Sequence, residues 1–232
     1  MIPKLLNKIN QKFSYFRFFQ YLQLYRTRKN YKRHKNNIFN KFDEKSSFII
    51  HIPKTAGTSV TKSIYGTDSN CCHYEWKYLK IILKQNFYNY FSFSIVRNPW
   101  DRCLSAYEFL RMGGDNNKDR IFYQKYMSNY NDFEDFVKNG LFKKRIFSST
   151  HFLPQSNFIF SKNDKCMVNY LLRFETIESD YKFIKKKLGG SNLLKYKINR
   201  TNHDYNKHYD KEMENIVYRL YKRDIILLKY SF

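Results

Sequence analysis

A buried strand that leads through a glycine-containing loop into a helix is the feature that most constrains this sequence. Ser47–Ile52 is a short apolar run of the kind that forms a buried strand, and Pro53–Gly57 has the composition of a tight loop. A helix is expected from Thr58, where hydroxyl side chains are available to cap its first turn. The sequence therefore predicts a strand, a loop and a helix in direct succession.

A second strand is predicted over Tyr90–Val96, where large apolar residues alternate with small ones. Pro99 ends this strand, and a helix follows over Asp101–Arg111 until the pair Gly113-Gly114. Further helices are expected over 74–83, 133–137, 179–188 and 211–221. Strands that alternate with helices indicate an α/β fold with a mainly parallel sheet.

The composition indicates one globular domain with a strongly basic surface. The 232 residues are enough for one domain and a modest number of additional residues. The contents of 42% hydrophobic and 19% aromatic residues exclude a wholly disordered chain. No apolar run approaches the roughly 20 residues that span a bilayer. The net charge of +23 predicts a polyanionic partner, which is nucleic acid, anionic lipid, or a phosphorylated or sulfated ligand. The alternative is that AT-rich coding DNA enriches lysine, asparagine, isoleucine, tyrosine and phenylalanine without selection for any partner.

The four cysteines do not form a recognisable metal or disulfide pattern. Cys71, Cys72, Cys103 and Cys166 show no C-x-x-C spacing, and four cysteines are few for a disulfide framework in a chain of this length. They are expected to be reduced thiols in a cytoplasmic protein.

Residues 1–45 are predicted to be a basic segment distinct from the domain at 46–232. This segment contains twelve lysines and arginines but only two acidic residues, Asp43 and Glu44. Aromatic residues recur in it at roughly helical spacing. Such a helix can lie in a membrane interface, which predicts peripheral association with the inner membrane face. The alternative is an amphipathic helix that docks on its own domain.

The loop between the first strand and its helix has the properties of an anion-binding site. The first N–H groups of a helix have no backbone partner, and the helix dipole places partial positive charge there. Gly57 permits close approach of a phosphate, while Lys54 and the hydroxyl groups of Thr55, Thr58 and Ser59 supply further donors. The lysine precedes the glycine, so the loop is not a Walker A sequence. An ordinary strand–helix turn is the alternative.

A second anion-binding pair follows the second strand. Arg97 at the strand end and Ser105 in the next helix lie eight residues apart, and a strand-to-helix turn can fold them onto one face. A guanidinium and a hydroxyl group there can bind a second phosphate. The alternative is a structural arginine that pairs with Asp101.

The two motifs together closely resemble the sulfotransferases that use 3′-phosphoadenosine 5′-phosphosulfate (PAPS). The resemblance rests on His51–Ser59 and Val96–Tyr107, and it continues at 151–155, 173–177 and 221–232. It is strongest to the carbohydrate branch, which includes the chondroitin and heparan sulfotransferases and their bacterial relatives. It implies a P-loop-like three-layer fold with a central parallel sheet, and transfer of a sulfuryl group from PAPS to a hydroxyl group of a carbohydrate or glycolipid.

The resemblance also implies roles for individual positions. The residues implied at the 5′-phosphosulfate are Lys54, Gly57, Thr58 and Ser59, with backbone groups of Thr55 and Ala56. Arg97 and Ser105 are implied at the 3′-phosphate. Lys54 is further expected to neutralise charge on the oxygen that leaves sulfur. Family members cover the nucleotide with a late segment, which corresponds to the loop at 189–209 and its basic residues Lys195, Lys197, Arg200 and Lys207.

The acceptor hydroxyl must lose its proton, so a general base is needed, and histidine suits this role near neutral pH. His73 is preferred because several glycan sulfotransferases place their catalytic histidine in this region. His151 is the alternative, and Glu75 and Glu108 are lesser candidates. His34 lies outside the domain, and His51 is expected inside the first strand, which argues against both.

Three other functions compete with sulfuryl transfer. A P-loop phosphotransferase is disfavoured by the position of the lysine and by the lack of an evident Walker B carboxylate. A specific nucleic-acid-binding protein is suggested by the charge and the aromatic content, but no known nucleic-acid motif accompanies them. A non-catalytic glycan-binding relative is compatible with the same motifs. No metal is required by the expected chemistry.

Overall fold

The computed structural model describes residues 37–67, 73–192 and 204–232. Its strands are β1 (Ser47–Ile50), β2 (Phe91–Val96) and β3 (Tyr170–Arg173). Its α-helices are α1 (Ile38–Lys45), α2 (Gly57–Tyr65), α3 (Trp76–Leu83), α4 (Asn86–Asn89), α5 (Pro99–Arg111), α6 (Asn117–Tyr126), α7 (Phe133–Asn139), α8 (Lys144–Phe147), α9 (Gln155–Ile159), α10 (Ile177–Leu188), α11 (Lys211–Leu220) and α12 (Lys222–Leu228). A 3₁₀ helix spans Tyr205–His208.

The three strands form one parallel sheet in the order β1-β2-β3, with β2 in the centre. Ser47 of β1 is opposite Phe91 of β2, and Phe93 of β2 is opposite Tyr170 of β3. Each crossover between parallel strands runs through helices, as parallel pairing requires. The carboxyl ends of all three strands therefore meet at one edge, where the two predicted anion-binding motifs begin.

Two hydrophobic clusters support this edge. The first surrounds the sheet and includes the fully buried Phe48, Ile50 and Phe93, with α1, α2 and α10 packed around it. The second lies between α5, α7 and α11 and includes Trp100 and Phe136. Helices thus flank a central parallel sheet, which confirms the predicted α/β fold.

Most of the predicted elements are present with small changes of boundary. Both predicted strands are confirmed, but β1 ends at Ile50, so the expectation that His51 lies within the strand is wrong. Helix α10 begins at Ile177, two residues before the predicted cap, because Asp180 accepts hydrogen bonds from the Arg173 amide and the Thr176 hydroxyl instead. The sequence pattern did not indicate β3, α4, α6, α8, α9 or α12.

Helix α1 belongs to the main core. Ile38, Phe39 and Phe42 are buried against the sheet, and the Asn37 side chain caps the helix by accepting from the Phe39 amide. The rest of the predicted basic segment, residues 1–36, lies outside the described residues, so its membrane association and the domain boundary at residue 45 stay predictions. No helix among the described residues is long and apolar enough to cross a bilayer.

The described cysteines are free thiols. Cys103 is buried in α5, and burial raises the pKa of its thiol to about 12, so it is protonated at neutral pH. Cys166 is half-buried, and burial raises its pKa as well. The adjacent pair Cys71-Cys72 lies outside the described residues.

A buried arginine holds two loops together at the carboxyl edge of the sheet. Arg102 in α5 is 1% exposed, and its guanidinium donates to the carbonyl groups of Pro53, His151 and Leu153 at 3.2, 3.0 and 2.8 Å. The first carbonyl belongs to the loop after β1, and the other two belong to the segment before α9. This guanidinium therefore fixes one segment relative to the other.

We expect Arg102→Leu to lower the free energy of unfolding by about 2–5 kcal/mol, since each buried carbonyl left without a donor costs about 1–3 kcal/mol. Urea unfolding followed by circular dichroism measures this change. The matched control is Arg111→Leu, which alters an exposed arginine at the end of the same helix. Equal stability of the two variants would contradict the role given to Arg102.

Candidate active site

The predicted anion-binding residues come together at the carboxyl ends of β1 and β2. These strands are neighbours in the sheet, and the loop after β1 therefore lies beside the turn after β2. The Arg97 guanidinium donates to the carbonyl oxygen of Lys54 at 3.0 Å, which joins the two motifs directly. Both motifs thus belong to one site.

The loop after β1 has an unusual backbone. Lys54 and Ala56 have φ angles of 69° and 67°, in the left-handed region that side chains other than glycine rarely adopt. The Thr55 hydroxyl donates to the Ile52 carbonyl at 2.9 Å, and this side chain is fully buried. That hydroxyl closes the loop, so the expectation that it faces an anion is not met, whereas the role of the Thr55 backbone stays a prediction. Such strain is often found at functional sites.

The amino end of α2 offers donors to an anion. The helix begins at Gly57, and the first N–H groups of a helix have no partner within it. Thr58 is exposed, while the Ser59 hydroxyl is buried and has no hydrogen-bond partner among the described residues. The loop therefore presents backbone and hydroxyl donors together at a helix end with partial positive charge.

Gly57 is required for close packing beneath the loop. A Cβ atom at this position would lie 2.0 Å from Cδ2 of His51, so any larger residue displaces the imidazole. The His51 ring in turn packs edge-on against the His73 ring, with centroids 4.5 Å apart. His51, which the sequence analysis set aside, is thus a supporting residue of the site.

His73 is held in one tautomer by the loop. Its Nδ1 lies 3.0 Å from the carbonyl oxygen of His51, and because a carbonyl only accepts, Nδ1 carries the proton. Nε2 of the neutral ring is then an acceptor. Burial lowers the pKa of His73 to about 4, although the hydrogen bond to His51 opposes this effect. The ring is therefore neutral at pH 7.

The Lys54 side chain extends over an aromatic ring. Its Nζ lies 3.8 Å from the centre of the Phe109 ring in α5. Burial, and then the nearby charge of Arg97, lower the pKa of Lys54 to about 8, while Asp115, Asp119 and Glu108 act in the opposite direction. The ammonium group is thus poorly hydrated, which strengthens its interaction with any anion that reaches it.

A second histidine, His151, also contacts the Phe109 ring and is paired with a carboxylate. The His151 ring centre is 5.3 Å from that of Phe109, and His151 Nε2 is 3.1 Å from Oδ1 of Asp119. Burial acts to raise the pKa of Asp119, but the hydrogen bond and charge of His151 outweigh it, so the pKa is lowered. The ionised carboxylate accepts a hydrogen bond from the Nε2–H group. Nδ1 of His151 is then a buried acceptor without a partner among the described residues.

The sequence analysis did not identify Asp119 because it lies in α6. This helix was not predicted, since the stretch is rich in polar residues. The other oxygen of Asp119 accepts from the Asn116 side chain at 2.8 Å, and this asparagine also caps α6. The signal was an Asn at the cap position with an Asp three residues later, which is typical of a helix start.

Arg97 is buried and strongly paired. It is 2% exposed, its Nε and Nη2 donate to the two oxygens of Asp101 at 2.6 and 2.7 Å, and its guanidinium lies 4.0 Å from the centre of the Phe174 ring. The structure therefore contains the Asp101 pair that the sequence analysis gave as the alternative. Ser105 is one turn beyond Asp101 on α5, so the two share a face of the helix.

The residues that follow the late loop contact the second anion-binding motif. Tyr205 accepts at its hydroxyl oxygen from the Asn98 side chain at 3.0 Å, and Tyr209 donates to the Trp100 carbonyl at 2.8 Å. Both partners lie at the start of α5. The late loop thus rejoins the described chain beside Arg97, although Lys195, Lys197 and Arg200 lie outside the described residues.

Three further residues that the sequence analysis named are Glu75, Lys207 and Glu108. Glu75 accepts from Lys77 at 2.7 Å, and Lys207 is exposed and lies 3.6 Å from Asp204. Glu108 acts on Lys54 through its charge. Across residues 37–67, 73–192 and 204–232, no three histidine, cysteine or acidic side chains are grouped as a metal site requires.

Comparison with known proteins gives two results. The model of the sulfotransferase family matches residues 39–231, which includes every residue of the site described above. An uncharacterised protein of Archaeoglobus fulgidus is 26% identical over 125 residues, which cover 53% of this chain and 88% of that protein. No solved structure matches the chain at a significant level.

We expect Gly57→Ala to weaken binding of 3′-phosphoadenosine 5′-phosphate by about tenfold or more, or about 1.4 kcal/mol. The added methyl group displaces His51 and so distorts the loop. Isothermal titration calorimetry measures the affinity. Ala56→Gly is the matched control, because glycine accepts the positive φ of that position and adds no atoms. Unchanged affinity in Gly57→Ala would show that the loop does not hold the nucleotide.

Proposed function

Since this chain belongs to the sulfotransferase family, we propose that it transfers a sulfuryl group from PAPS to a hydroxyl group of a carbohydrate acceptor. The acceptor is a polysaccharide, an oligosaccharide or a glycolipid. The P-loop-like arrangement of a parallel sheet flanked by helices is consistent with the fold of this family. We assign the donor site to the carboxyl edge of the strands. We propose that the enzyme is cytoplasmic and that residues 1–45 associate it peripherally with the inner membrane face.

The hydrogen bond from Arg97 to the Lys54 carbonyl is the observation that carries this proposal. PAPS has phosphate groups at both ends of one nucleoside, so its enzyme needs two anion sites at a fixed separation. The two motifs of this chain are separated in sequence but joined by a direct contact. This contact supports a single nucleotide that spans both.

The donor roles follow from the groups available at each motif. We assign the 5′-phosphosulfate to the amino end of α2 and its hydroxyl groups, with Lys54, Thr55, Ala56, Gly57, Thr58 and Ser59. We assign the 3′-phosphate to Arg97 and Ser105. Within the described residues, three of the five guanidinium N–H groups of Arg97 donate to Asp101 and Lys54. We assign the other two to the phosphate.

The transfer is an in-line displacement at sulfur. The acceptor oxygen forms a new bond to sulfur while the bond from sulfur to the phosphate oxygen breaks, and the electron pair of that bond stays on the departing phosphate. Lys54 stabilises the charge that develops on this oxygen, an effect worth a few kcal/mol for a well-placed donor. The proton of the acceptor hydroxyl passes to a base.

His73 is the proposed base. Its Nε2 is an acceptor in the tautomer that the His51 carbonyl selects, and its ring stays neutral at physiological pH. His151 is the second candidate, because the Asp119 carboxylate orients it and leaves Nδ1 as an acceptor in the same way. The two histidines differ in partner, so variants can distinguish them.

We expect His73→Gln to lower kcat by roughly 10²–10⁴-fold while leaving nucleotide affinity within about threefold of the wild type, as is typical of general-base removal. Glutamine keeps a donor toward the His51 carbonyl but cannot accept the acceptor's proton as a base. Transfer of labelled sulfate from PAPS to a panel of glycans measures the rate, and calorimetry measures the affinity. His208→Gln is the control at an exposed histidine. A comparable rate loss in His151→Gln, with full activity in His73→Gln, would assign the base to His151.

The pH dependence of kcat/KM should report Lys54 and His73 of the free enzyme. The active form needs a neutral imidazole, which is lost as the pH falls through about 4, and a charged ammonium, which is lost as the pH rises through about 8. A broad plateau between these limits is the expected result in a stopped assay with labelled PAPS. An acid limb near 6.5, the ordinary histidine value, that disappears in His151→Gln would assign the base to His151.

A further inference from the structure

Lys54 is held at its two ends by different contacts. At the backbone end, its carbonyl group accepts from the Arg97 guanidinium at 3.0 Å. At the far end, its Nζ lies 3.8 Å from the centre of the Phe109 ring, which is the shortest lysine-to-ring distance among the described residues. We propose that Phe109 is a positioning residue, which holds the Lys54 ammonium where it stabilises the leaving oxygen. The proposal rests on the function proposed above and adds a residue to its donor site.

An aromatic ring holds a cation in a way that a carboxylate cannot. The face of a phenylalanine ring carries partial negative charge, so an ammonium group within about 6 Å of its centre is attracted to it. The ring has no oxygen or nitrogen atom to accept the N–H groups, whereas a carboxylate forms an ion pair and competes with a phosphate for them. The contact with the ring therefore fixes the Lys54 ammonium and leaves its N–H groups available to an anion.

The carboxylates that act on Lys54 do so through charge alone. Glu108, Asp115 and Asp119 favour its charged form, but none of them forms an ion pair with it in the part of the chain that the structure describes. Asp119 has other partners, because its Oδ1 lies 3.1 Å from His151 Nε2 and its Oδ2 accepts from the Asp115 amide at 3.2 Å. Among the described residues, the direct contact of the ammonium group is thus the aromatic ring.

The ring that contacts Lys54 is itself well supported. Phe109 lies near the end of α5, and its ring also packs against His151, with ring centres 5.3 Å apart. Its carbonyl group accepts from the Gly114 amide at 2.9 Å, in the turn that connects α5 with α6. Gly114 is required in this turn, because its φ is 66° and a Cβ atom there would lie 2.2 Å from Cβ of Asp119. The turn therefore brings the start of α6, which supplies the carboxylate partner of His151, close to the end of α5.

The alternative role of Phe109 is packing alone. Its side chain is half-buried and contacts the second hydrophobic cluster, which lies between α5, α7 and α11. Leucine at this position keeps an apolar side chain but has no aromatic face, whereas tyrosine keeps the face. These two substitutions therefore separate attraction of the cation from packing.

The two roles predict opposite changes in the pKa of Lys54. Burial, and then the charge of Arg97, lower this pKa to about 8, while Asp115, Asp119 and Glu108 act in the opposite direction. Loss of the aromatic face removes an interaction that favours the charged form, so the pKa falls further. Loosened packing instead admits water, which raises the pKa toward the ordinary lysine value of about 10.4.

The test measures the pKa of Lys54 in the full-length chain without nucleotide, in the wild type and in Phe109→Leu, Phe109→Tyr and Phe122→Leu. The last is the matched control, since Phe122 is a half-buried phenylalanine of α6 beside the same hydrophobic cluster, and its ring packs against Tyr126. NMR titration of ¹³C-labelled lysine side chains gives the pKa, and the Lys54 signal is the one that Lys54→Gln removes. A transfer assay with labelled PAPS gives kcat and kcat/KM against pH for each variant.

We expect Phe109→Leu to lower the pKa of Lys54 by about 0.5 or more and to lower kcat by roughly three- to thirtyfold, as the strength of such contacts implies. The basic limb of kcat/KM should move to lower pH by the same amount, because the charged ammonium is the active form. Phe109→Tyr should restore both quantities to within about threefold of the wild type. Phe122→Leu should leave the pKa of Lys54 unchanged.

A Lys54 pKa that rises in Phe109→Leu, or stays at the wild-type value, would overturn the proposal, because the ring would then act through packing or not at all. An equal fall in Phe122→Leu would overturn it as well. Nucleotide binding separates this test from the proposed function. If the wild type fails to bind 3′-phosphoadenosine 5′-phosphate in calorimetry, the sulfuryl-transfer proposal fails, whereas normal binding and transfer with an unchanged Lys54 pKa in Phe109→Leu rejects the positioning role alone.

Discussion

The contact between the Arg97 guanidinium and the Lys54 carbonyl is the interaction on which the rest of the site depends. It connects the loop after β1 with the turn after β2, and so fixes the separation of the two proposed anion-binding motifs. Asp101 holds the same guanidinium from the opposite side through two short hydrogen bonds. Because Arg97 is almost fully buried, these partners are needed to offset its desolvation. The arginine therefore acts as a structural link and as a proposed ligand of phosphate.

A second buried arginine extends this arrangement to the segment that contains His151. Arg102 binds carbonyl groups of the loop after β1 and of the segment at 151–153, so the Lys54 loop and His151 are held against the same helix. Phe109 lies about two turns further along α5. Its ring contacts both Lys54 and His151. Helix α5 thus contacts both the Lys54 loop and the His151 segment, which explains how these two segments keep their relative positions.

The sequence predicted β1, β2, the loop between β1 and α2, and the helix after the second motif because each has a local signal. Apolar runs define β1 and β2, and Gly57 and Pro99 mark the turns that follow. Features that depend on tertiary contacts have no such local signal and could not be predicted from the sequence. The short strand β3 is defined by pairing with β2, and the roles of His51 and Asp119 arise from packing between segments far apart in the chain. The preference for His73 over His151 stays a prediction.

The most direct test of this account is a crystal structure of the enzyme with 3′-phosphoadenosine 5′-phosphate. We expect the 5′-phosphate at the first turn of α2, within hydrogen-bond distance of Lys54, Thr58 and Ser59. We expect the 3′-phosphate on the two remaining N–H groups of Arg97 and on Ser105. A nucleotide that contacts only one of these groups, or whose 3′-phosphate lies away from Arg97, would contradict the central claim that the two motifs hold a single donor.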